Sequence, residues 1–347
     1  MIPIGAQRGP AVGGLVDVHT HVVPLELPDL EERVPWGRWP SVRMVDDVTA
    51  ELRLGSATYR TVDDRSWSIE ARLRDMEAEG VAVQWLSPIP AILCHEAPAY
   101  GARELARAVN DAIGEMVSCA PNRFVGLGSV ALQDVDAAIA ELERCVLELG
   151  FAGVEIGTRV GDRELIDPAL TPFFDAVDRL GALVFVHPVD ETTDPRLAPM
   201  GLTFGVGMPT ETGAAAAGLL VSDLLVDRAA LTICLAHGGG TLPGILGRID
   251  RGVALGTPGR PRPVELARRL WSDSLTYDVE SLELAVTRFG EDHVMFGTDY
   301  PFAARETASQ RVLDSVAGAW PDDRLDAVGR SNAERLVARI RGGLQTG

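Results

Sequence analysis

Short apolar runs alternate with longer segments of helical periodicity along most of this chain. The runs that predict β-strands are rich in aliphatic and β-branched residues, and they cover 15–19, 81–86, 124–130, 153–156, 183–187, 232–237, 275–277 and 294–298. Segments 102–119 and 135–149 between them have the apolar spacing of amphipathic helices. Eight alternating strand and helix units indicate a parallel sheet, and we expect it to close into an α/β fold of the (β/α)8 TIM-barrel type.

The segment 24–66 interrupts this alternation directly after the first predicted strand. It is too long for an ordinary loop, is rich in Arg and Asp, and has only weak periodicity. Because it leaves the carboxyl end of a barrel strand, where barrel enzymes have their active sites, we interpret it as an insertion that roofs the pocket. We expect 15–340 to form one barrel domain, with tails at 1–14 and 341–347.

Composition narrows the classes of partner. Of the 347 residues 46% are hydrophobic and 24% charged, which is typical of a globular protein. A formal net charge of −18 disfavours nucleic acid and anionic membranes as partners, so an acidic small-molecule substrate would need local arginines. The four cysteines form no CxxC pair, and no apolar run approaches the roughly 20 residues that span a bilayer. These features are typical of a cytoplasmic protein with reduced thiols.

Histidines and one aspartate lie where the predicted strands end. His19 and His21 are two residues apart, so in a strand their side chains point to the same face. His187 and Asp299 follow other predicted strands, and the carboxyl ends of barrel strands meet at one rim. Three imidazoles and one carboxylate form a donor set that zinc accepts and that leaves a position open for water. We therefore expect a catalytic metal site with ligands His19, His21, His187 and Asp299, occupied by Zn²⁺ or another divalent ion such as Mn²⁺.

His237 also lies at this rim, directly before three consecutive glycines. It is a candidate fifth ligand or a general acid/base, since an imidazole can take up and return a proton near neutral pH. The third interpretation is a structural histidine at the start of a helix.

Other polar residues near the rim carry weaker signals. Arg60 in the roof segment and Arg248 after the glycine triplet could each bind a carboxylate in a bidentate manner. Glu155 could bridge to a second metal or form interior hydrogen bonds. For His95, in a loop after the second barrel strand, we expect a surface position more than a place in the pocket wall.

Several longer motifs carry a resemblance to a known family. They are Val16-Asp-Val-His-Thr-His21, Asn122-Arg-Phe-Val-Gly-Leu-Gly128, Glu143-Arg-Cys-Val146, Gly207-Met-Pro209, Ala236-His-Gly-Gly-Gly240 and Gly297-Thr-Asp-Tyr-Pro-Phe302. From 16 to about 337 the chain resembles the metal-dependent decarboxylases of the amidohydrolase superfamily, above all those that act on 2-amino-3-carboxymuconate 6-semialdehyde. Members of that family are (β/α)8 barrels with one zinc ion.

The resemblance implies roles for the candidate residues. His19, His21, His187 and Asp299 would bind the zinc, His237 would activate the water on the metal, and either His237 or Asp299 would supply the proton for decarboxylation. Arg60 and an Arg248 from the neighbouring subunit would hold the substrate carboxylates, which implies a homodimer. The expected reaction is therefore the non-oxidative decarboxylation of an unsaturated or aromatic acid. The alternative is a hydratase or hydrolase that acts on a ring-cleavage product.

The chain departs from this family in its pocket wall. A lysine of the family's roof is Leu54 here, and tryptophans that follow the strand-five histidine are replaced by Val189, Gly201 and Phe204. We expect Phe204 to contact the substrate, and we expect the substrate to differ more than the metal chemistry does.

Overall fold

The structure is a computed structural model that describes residues 14–257 and 259–346, with side chains up to 343. The strands are β1 (Leu15–Val22), β2 (Pro40–Met44), β3 (Thr49–Leu54), β4 (Ala57–Asp63), β5 (Val81–Pro88), β6 (Phe124–Ser129), β7 (Gly153–Ile156), β8 (Arg159–Val160), β9 (Arg163–Glu164), β10 (Leu183–Val186), β11 (Thr232–Leu235), β12 (Trp271–Asp273) and β13 (Val294–Met295). The helices are α1 (Ile69–Glu79), α2 (Ala99–Cys119), α3 (Val135–Glu143), α4 (Thr171–Leu180), α5 (Met208–Val221), α6 (Leu224–Asp227), α7 (Leu242–Gly256), α8 (Pro263–Leu266), α9 (Val279–Phe289), α10 (Val312–Ser315), α11 (Asp322–Asp326) and α12 (Asn332–Thr346).

Eight of the strands form one sheet in the order β1-β5-β6-β7-β10-β11-β12-β13. All seven neighbouring pairs are parallel. Backbone hydrogen bonds close the sheet: the Val18 N–H donates to the Phe296 carbonyl, and the Asp299 N–H donates to the His19 carbonyl, both at 2.9 Å. The predicted (β/α)8 TIM barrel is confirmed.

The seventh barrel strand was predicted in the wrong place. It is Trp271–Asp273, whereas the predicted segment 275–277 is an irregular loop in which Tyr277 has φ 62°. The error has a physical reason, because a three-residue strand with two polar residues carries no apolar run. The other seven predictions overlap barrel strands, although β1 extends to Val22 and so includes both His19 and His21.

The roof segment contains regular structure that its weak periodicity did not predict. Strands β2, β3 and β4 form a three-stranded antiparallel sheet. Ala50, Leu52 and Val62 bury one face of it. The nearby Trp39 ring packs against α2, and its indole N–H donates to the Val34 carbonyl. Local propensity is weak here, so burial against the barrel stabilises the sheet.

The two predicted tails lie at the ends of the chain. Residues 1–13 of the predicted N-terminal tail lie outside the described residues. At the other end α12 continues to Thr346, through the segment 341–346 where we expected a tail. Helix α3 passes into a wider π-helical turn at 144–148, so the predicted helix 135–149 is continuous but irregular. Among the described residues no helix is long and apolar enough to cross a membrane.

The contact between Trp39 and α2 generates a stability prediction. A Cβ added to Gly101 would overlap the Trp39 ring. We expect Gly101→Ala to lower the free energy of unfolding by about 1–3 kcal/mol through overpacking, measured by urea denaturation. Gly114→Ala is the matched control on the same helix, because the nearest atom that its Cβ would meet is Leu149 Cδ2 at 3.4 Å, an ordinary contact distance. That variant should gain about 0.5–1 kcal/mol from helix propensity, and equal losses in both would contradict the packing argument.

Candidate metal and catalytic site

Four buried side chains converge at the carboxyl end of the barrel. One donor atom from each of His19, His21, His187 and Asp299 lies within 4.8 Å of the others. The His19 and His21 Nε2 atoms are 3.1 Å apart, and the Asp299 Oδ1 atom lies 3.1 Å from His21 Nε2 and 3.7 Å from His19 Nε2. His187 Nε2 has no hydrogen-bond partner among the described residues. Barrel topology therefore brings together residues up to 280 positions apart in the chain.

The Nδ1 atoms of these three histidines are all engaged elsewhere. His19 Nδ1 lies 2.6 Å from Asp273 Oδ2, His21 Nδ1 lies 2.9 Å from the Pro88 carbonyl, and His187 Nδ1 lies 2.6 Å from the Pro188 carbonyl. A carbonyl or carboxylate oxygen can only accept, so Nδ1 carries a proton in each ring, and Nε2 is the nitrogen that would bind a metal, which would displace any proton there. This is the usual outer-sphere arrangement of metal-binding histidines. The donor set fits a divalent cation.

The charges around the group also favour a cation. Burial lowers the pKa values of His21 and His187, so both rings are neutral. Burial also disfavours protonation of His19, but its hydrogen bond to Asp273 and the nearby carboxylates outweigh that effect and raise its pKa to about 9. Burial disfavours ionisation of Asp273 and Asp299, but hydrogen bonds from histidines lower their pKa values. Two buried carboxylates therefore attract positive charge to the group, Asp273 from the Nδ1 side of His19 and Asp299 from the Nε2 side of His19 and His21.

His237 lies beside this group without belonging to it. Its ring centroid is 4.9 Å from that of His187 and 5.2 Å from that of His19. Its backbone is left-handed, with φ 57°, and its N–H donates to Asp273 Oδ2 at 2.9 Å. Burial, followed by the charge on His19, lowers the pKa of His237 to about 4. The ring is therefore neutral at pH 7, and its buried Nδ1 has no partner among the described residues.

Asp273 is the residue that sequence reasoning missed. Its fully buried carboxylate binds His19 and the backbone N–H groups of His237, Gly238 and Leu275. Sequence reasoning missed it because the seventh strand was placed at 275–277. A strand at 271–273 would have put this aspartate at the rim.

Glu155 is fully buried, and its Oε2 atom lies 3.8 Å from His21 Nδ1. Neither carboxylate oxygen has a hydrogen-bond partner among the described residues, and burial raises its pKa to about 8. The structure places it against a histidine of the group, although it is not among the four converging donors.

Arg60 approaches the site from the roof. Its guanidinium lies 4.5 Å from the ring centroid of Phe302, which in turn stacks on His21 with a centroid distance of 5.3 Å. The neighbouring Tyr59 donates its hydroxyl hydrogen to Asp190 Oδ2 at 2.7 Å. Aromatic faces hold a cation without neutralising it. Within the described residues no carboxylate pairs with Arg60.

Arg248 and Phe204 make no hydrogen bond, ion pair or ring contact with the histidine group within the described residues. Arg248 is exposed on α7. Phe204 is 49% exposed and packs against Tyr277, with a centroid distance of 6.0 Å. Their assignment as substrate contacts stays a prediction.

His95 is buried, so the expectation of a surface position was wrong. Its Nε2 accepts a hydrogen bond from the Gly157 N–H at 3.1 Å, and burial lowers its pKa to about 4. It lines a cavity of about 490 Å³, including the open mouth, between the roof and the barrel. The apolar lining residues of this cavity are Trp36, Leu54, Pro90, Ala91, Leu93 and Val189.

Only some of the charged groups at the cavity are paired. Arg38 lies 2.8 Å from Glu191 and 3.8 Å from Glu96, whereas Arg159 has no carboxylate partner among the described residues. Val189 follows His187 by two positions in the chain, but none of the four converging side chains lines the cavity. Two positions at which the chain departs from the family it resembles, Leu54 and Val189, share this wall.

Comparisons with known proteins agree with this geometry. A family model described as Amidohydrolase matches residues 16–339. The 2-amino-3-carboxymuconate-6-semialdehyde decarboxylase of Dictyostelium discoideum is 35% identical over 308 residues, covering 87% of this chain and 85% of that protein. A gamma-resorcylate decarboxylase of Rhizobium sp. is 31% identical over 290 residues, covering 77% and 86%.

A solved structure is similar as well. It is a 5-carboxyvanillate decarboxylase from Novosphingobium aromaticivorans complexed with manganese and 4-hydroxy-3-methoxy-5-nitrobenzoic acid. The TM-score is 0.71 at 26% identity, with 79% of this chain and 82% of that chain covered. The similarity thus includes a barrel that holds a divalent metal.

The donor geometry predicts that metal binding is linked to stability. After chelation, adding Zn²⁺ or Mn²⁺ to about 100 times its dissociation constant should raise the free energy of unfolding by about 2.7 kcal/mol. His187→Gln removes one Nε2 donor and should lose most of this gain in urea denaturation. His293→Gln, which changes a histidine paired with Asp292 outside the group, should keep it. An equal gain in both variants would contradict the ligand assignment.

Proposed function

Because this chain belongs to the amidohydrolase family, we propose that it is a metal-dependent, non-oxidative decarboxylase of an unsaturated or aromatic carboxylic acid. The observation that carries the proposal is the buried group of three histidines and Asp299, with His237 beside it and the unpaired Arg60 above it. The relatives named above are decarboxylases, which supports the same reaction class.

His19, His21, His187 and Asp299 would hold the metal through their Nε2 atoms and a carboxylate oxygen. The donor set suits zinc, and manganese in the related 5-carboxyvanillate decarboxylase makes it the second candidate. When bound, such an ion polarises substrate oxygens and lowers the pKa of water.

His237 acts as the proton carrier. Its ring is neutral at pH 7 because burial lowers its pKa to about 4, so it first accepts a proton from water in the site. It then delivers that proton to the substrate carbon that bears the carboxylate, and the hydroxide left from the water is reprotonated by solvent. Asp299 is the alternative donor, but its ionised carboxylate would first have to take up a proton. The bond between this carbon and the carboxylate breaks, its electron pair returns to the conjugated system, and carbon dioxide leaves.

Arg60 orients the substrate by binding a carboxylate. Its guanidinium lacks a carboxylate partner in the described chain and is held between the rings of Tyr59 and Phe302. A substrate acid bound there would lie above His21, since Phe302 stacks on that ring. The roof segment 24–66 thus closes the site and contributes to binding.

The cavity between the roof and the barrel is our candidate for the far end of the substrate. Its walls are mostly apolar, Arg38 pairs with Glu96 and Glu191, and Arg159 is a lining cation without a carboxylate partner among the described residues. Beside the apolar residues an uncharged ring or side chain would lose less hydration free energy than a second carboxylate would. Leu54 and Val189 therefore favour an apolar group next to them.

The decarboxylase proposal predicts a specific product. With unsaturated and aromatic carboxylates, the metal-loaded protein should release carbon dioxide and give a product lighter by its mass, measured by mass spectrometry. His237→Ala should lower kcat by about 10²–10⁴-fold while metal content stays unchanged. His293→Ala is the control and should retain full activity. A product that has gained water would replace decarboxylation with hydration or hydrolysis.

A homodimer would give a role to Arg248, which contacts none of the described histidines of its own chain. We propose that Arg248 of one subunit completes the neighbouring active site and binds the substrate there, with the exposed Phe204 also contributing to that pocket. The exposed apolar residues around Phe204, which are Met200, Leu202, Val206 and Tyr277, are consistent with a surface that a second copy covers.

Mixing two inactive variants tests this arrangement. His237→Ala and Arg248→Ala homodimers should each be nearly inactive, whereas mixed dimers contain one site with both residues intact. Random exchange of subunits in a 1:1 mixture should restore about a quarter of wild-type activity, because half the dimers are mixed and each has one good site. No recovery despite subunit exchange would mean that Arg248 does not act across an interface.

A further inference from the structure

Arg72 on α1 lies directly behind the metal-site residues, and its side chain is fully buried. Its guanidinium donates to the His21 carbonyl, to Thr20 Oγ1 at 3.3 Å and to Gln84 Oε1 at 3.2 Å. It also lies over the Tyr300 ring, 5.0 Å from the centroid. One side chain thus contacts β1, β5 and the segment that follows Asp299.

This guanidinium is buried without a carboxylate in ion-pair contact among the described residues, although Asp17 and Asp75 lie near enough to act on it electrostatically. No carboxylate in residues 14–257 and 259–343 forms an ion pair with Arg72, and its Nε atom has no hydrogen-bond partner there. Removing a charge from water without a paired ion is unfavourable for folding. An apolar side chain would pack here without this cost. The charge and the several N–H donors of Arg72 therefore require an explanation other than packing.

The contacts of Arg72 provide an explanation for its buried charge. It binds the carbonyl of the metal-site residue His21 and stacks on Tyr300, the residue next to Asp299. The two segments also meet directly, because the His21 N–H donates to the Tyr300 carbonyl at 2.7 Å. At their ends His21 Nε2 and Asp299 Oδ1 are 3.1 Å apart.

We propose that Arg72 is a positioning residue that fixes His21 and Asp299 relative to each other for metal binding. A planar guanidinium contacts several acceptors in a fixed geometry, which the single ammonium group of lysine does not reproduce. The inference rests on the proposed metal site but not on the proposed decarboxylation.

Arg311 provides a matched control. It is also a buried arginine with an unpartnered Nε, and it lies over the Phe296 ring at 5.4 Å. It differs in binding the Glu79 backbone and side chain rather than residues of the metal group. Substituting either arginine should affect folding, whereas only Arg72 should affect the metal.

The test measures metal binding rather than turnover. Chelator competition gives the Zn²⁺ dissociation constant of the full-length wild-type protein, Arg72→Lys and Arg311→Lys, and visible absorption of the Co²⁺ forms reports ligand geometry. Arg72→Lys should weaken Zn²⁺ binding about 10–100-fold, as loss of outer-sphere partners does, and should change the Co²⁺ spectrum. Arg311→Lys should match the wild type in both.

The other possible results of these measurements also test the positioning role of Arg72. Wild-type affinity and spectrum in Arg72→Lys, or equal changes in Arg311→Lys, would overturn the positioning role. If Arg72→Lys does not fold, Gln84→Met replaces it, because this change removes one hydrogen-bond acceptor of the guanidinium. Gln84→Met should weaken Zn²⁺ binding less strongly than loss of Arg72 would. An unchanged Zn²⁺ dissociation constant would overturn the proposal. A wild-type protein that binds no metal would overturn the metal site as well, whereas failure to decarboxylate with metal bound would affect only the proposed reaction.

Discussion

The carboxylate of Asp273 accepts four hydrogen bonds, from His19 Nδ1 and from the backbone N–H groups of His237, Gly238 and Leu275. It thereby joins a candidate metal ligand on β1 to the candidate proton carrier after β11. Gly297 makes the approach possible, because a Cβ there would lie 2.8 Å from His19 Cβ and 2.9 Å from Asp273 Cβ. The same carboxylate fixes the His19 tautomer and stabilises the left-handed backbone of His237.

The surrounding barrel orients the histidine rings through its own hydrogen bonds. The carbonyls of Pro88 and Pro188 at the strand ends orient His21 and His187, and buried side chains orient the others. Because these groups lie away from water, each charge acts through a low dielectric and its effect on neighbouring pKa values is large. The pKa of about 4 for His237 and that of about 8 for Glu155 are both consequences of burial in one place.

Sequence reasoning identified this site through a local rule, whereas the residues it missed depend on long-range contacts. Strand parity alone places His19 and His21 on one face, and barrel topology then places His187 and Asp299 near them. Sequence reasoning missed Asp273 because β12 is short and polar. The burial of His95 depends on a contact with Gly157, 62 residues away, which no local pattern in a loop encodes. The roof sheet was missed for a related reason, because its three strands are stabilised by packing against the barrel rather than by a local sequence pattern.

The roof and the histidine group are connected by a small number of polar contacts, and these constrain the choice of substrate. Tyr59 binds Asp190, three residues after His187, while the adjacent Arg60 stacks on Phe302 above His21. Arg60 is therefore fixed relative to the histidines although it belongs to the insertion. Under the proposed function, a carboxylate held by Arg60 would lie at a defined distance from His237, and variation in the substrate would fall on the cavity lined by Leu54 and Val189. Substrate selection would then change through these wall residues while the proposed metal ligands and proton carrier stay the same.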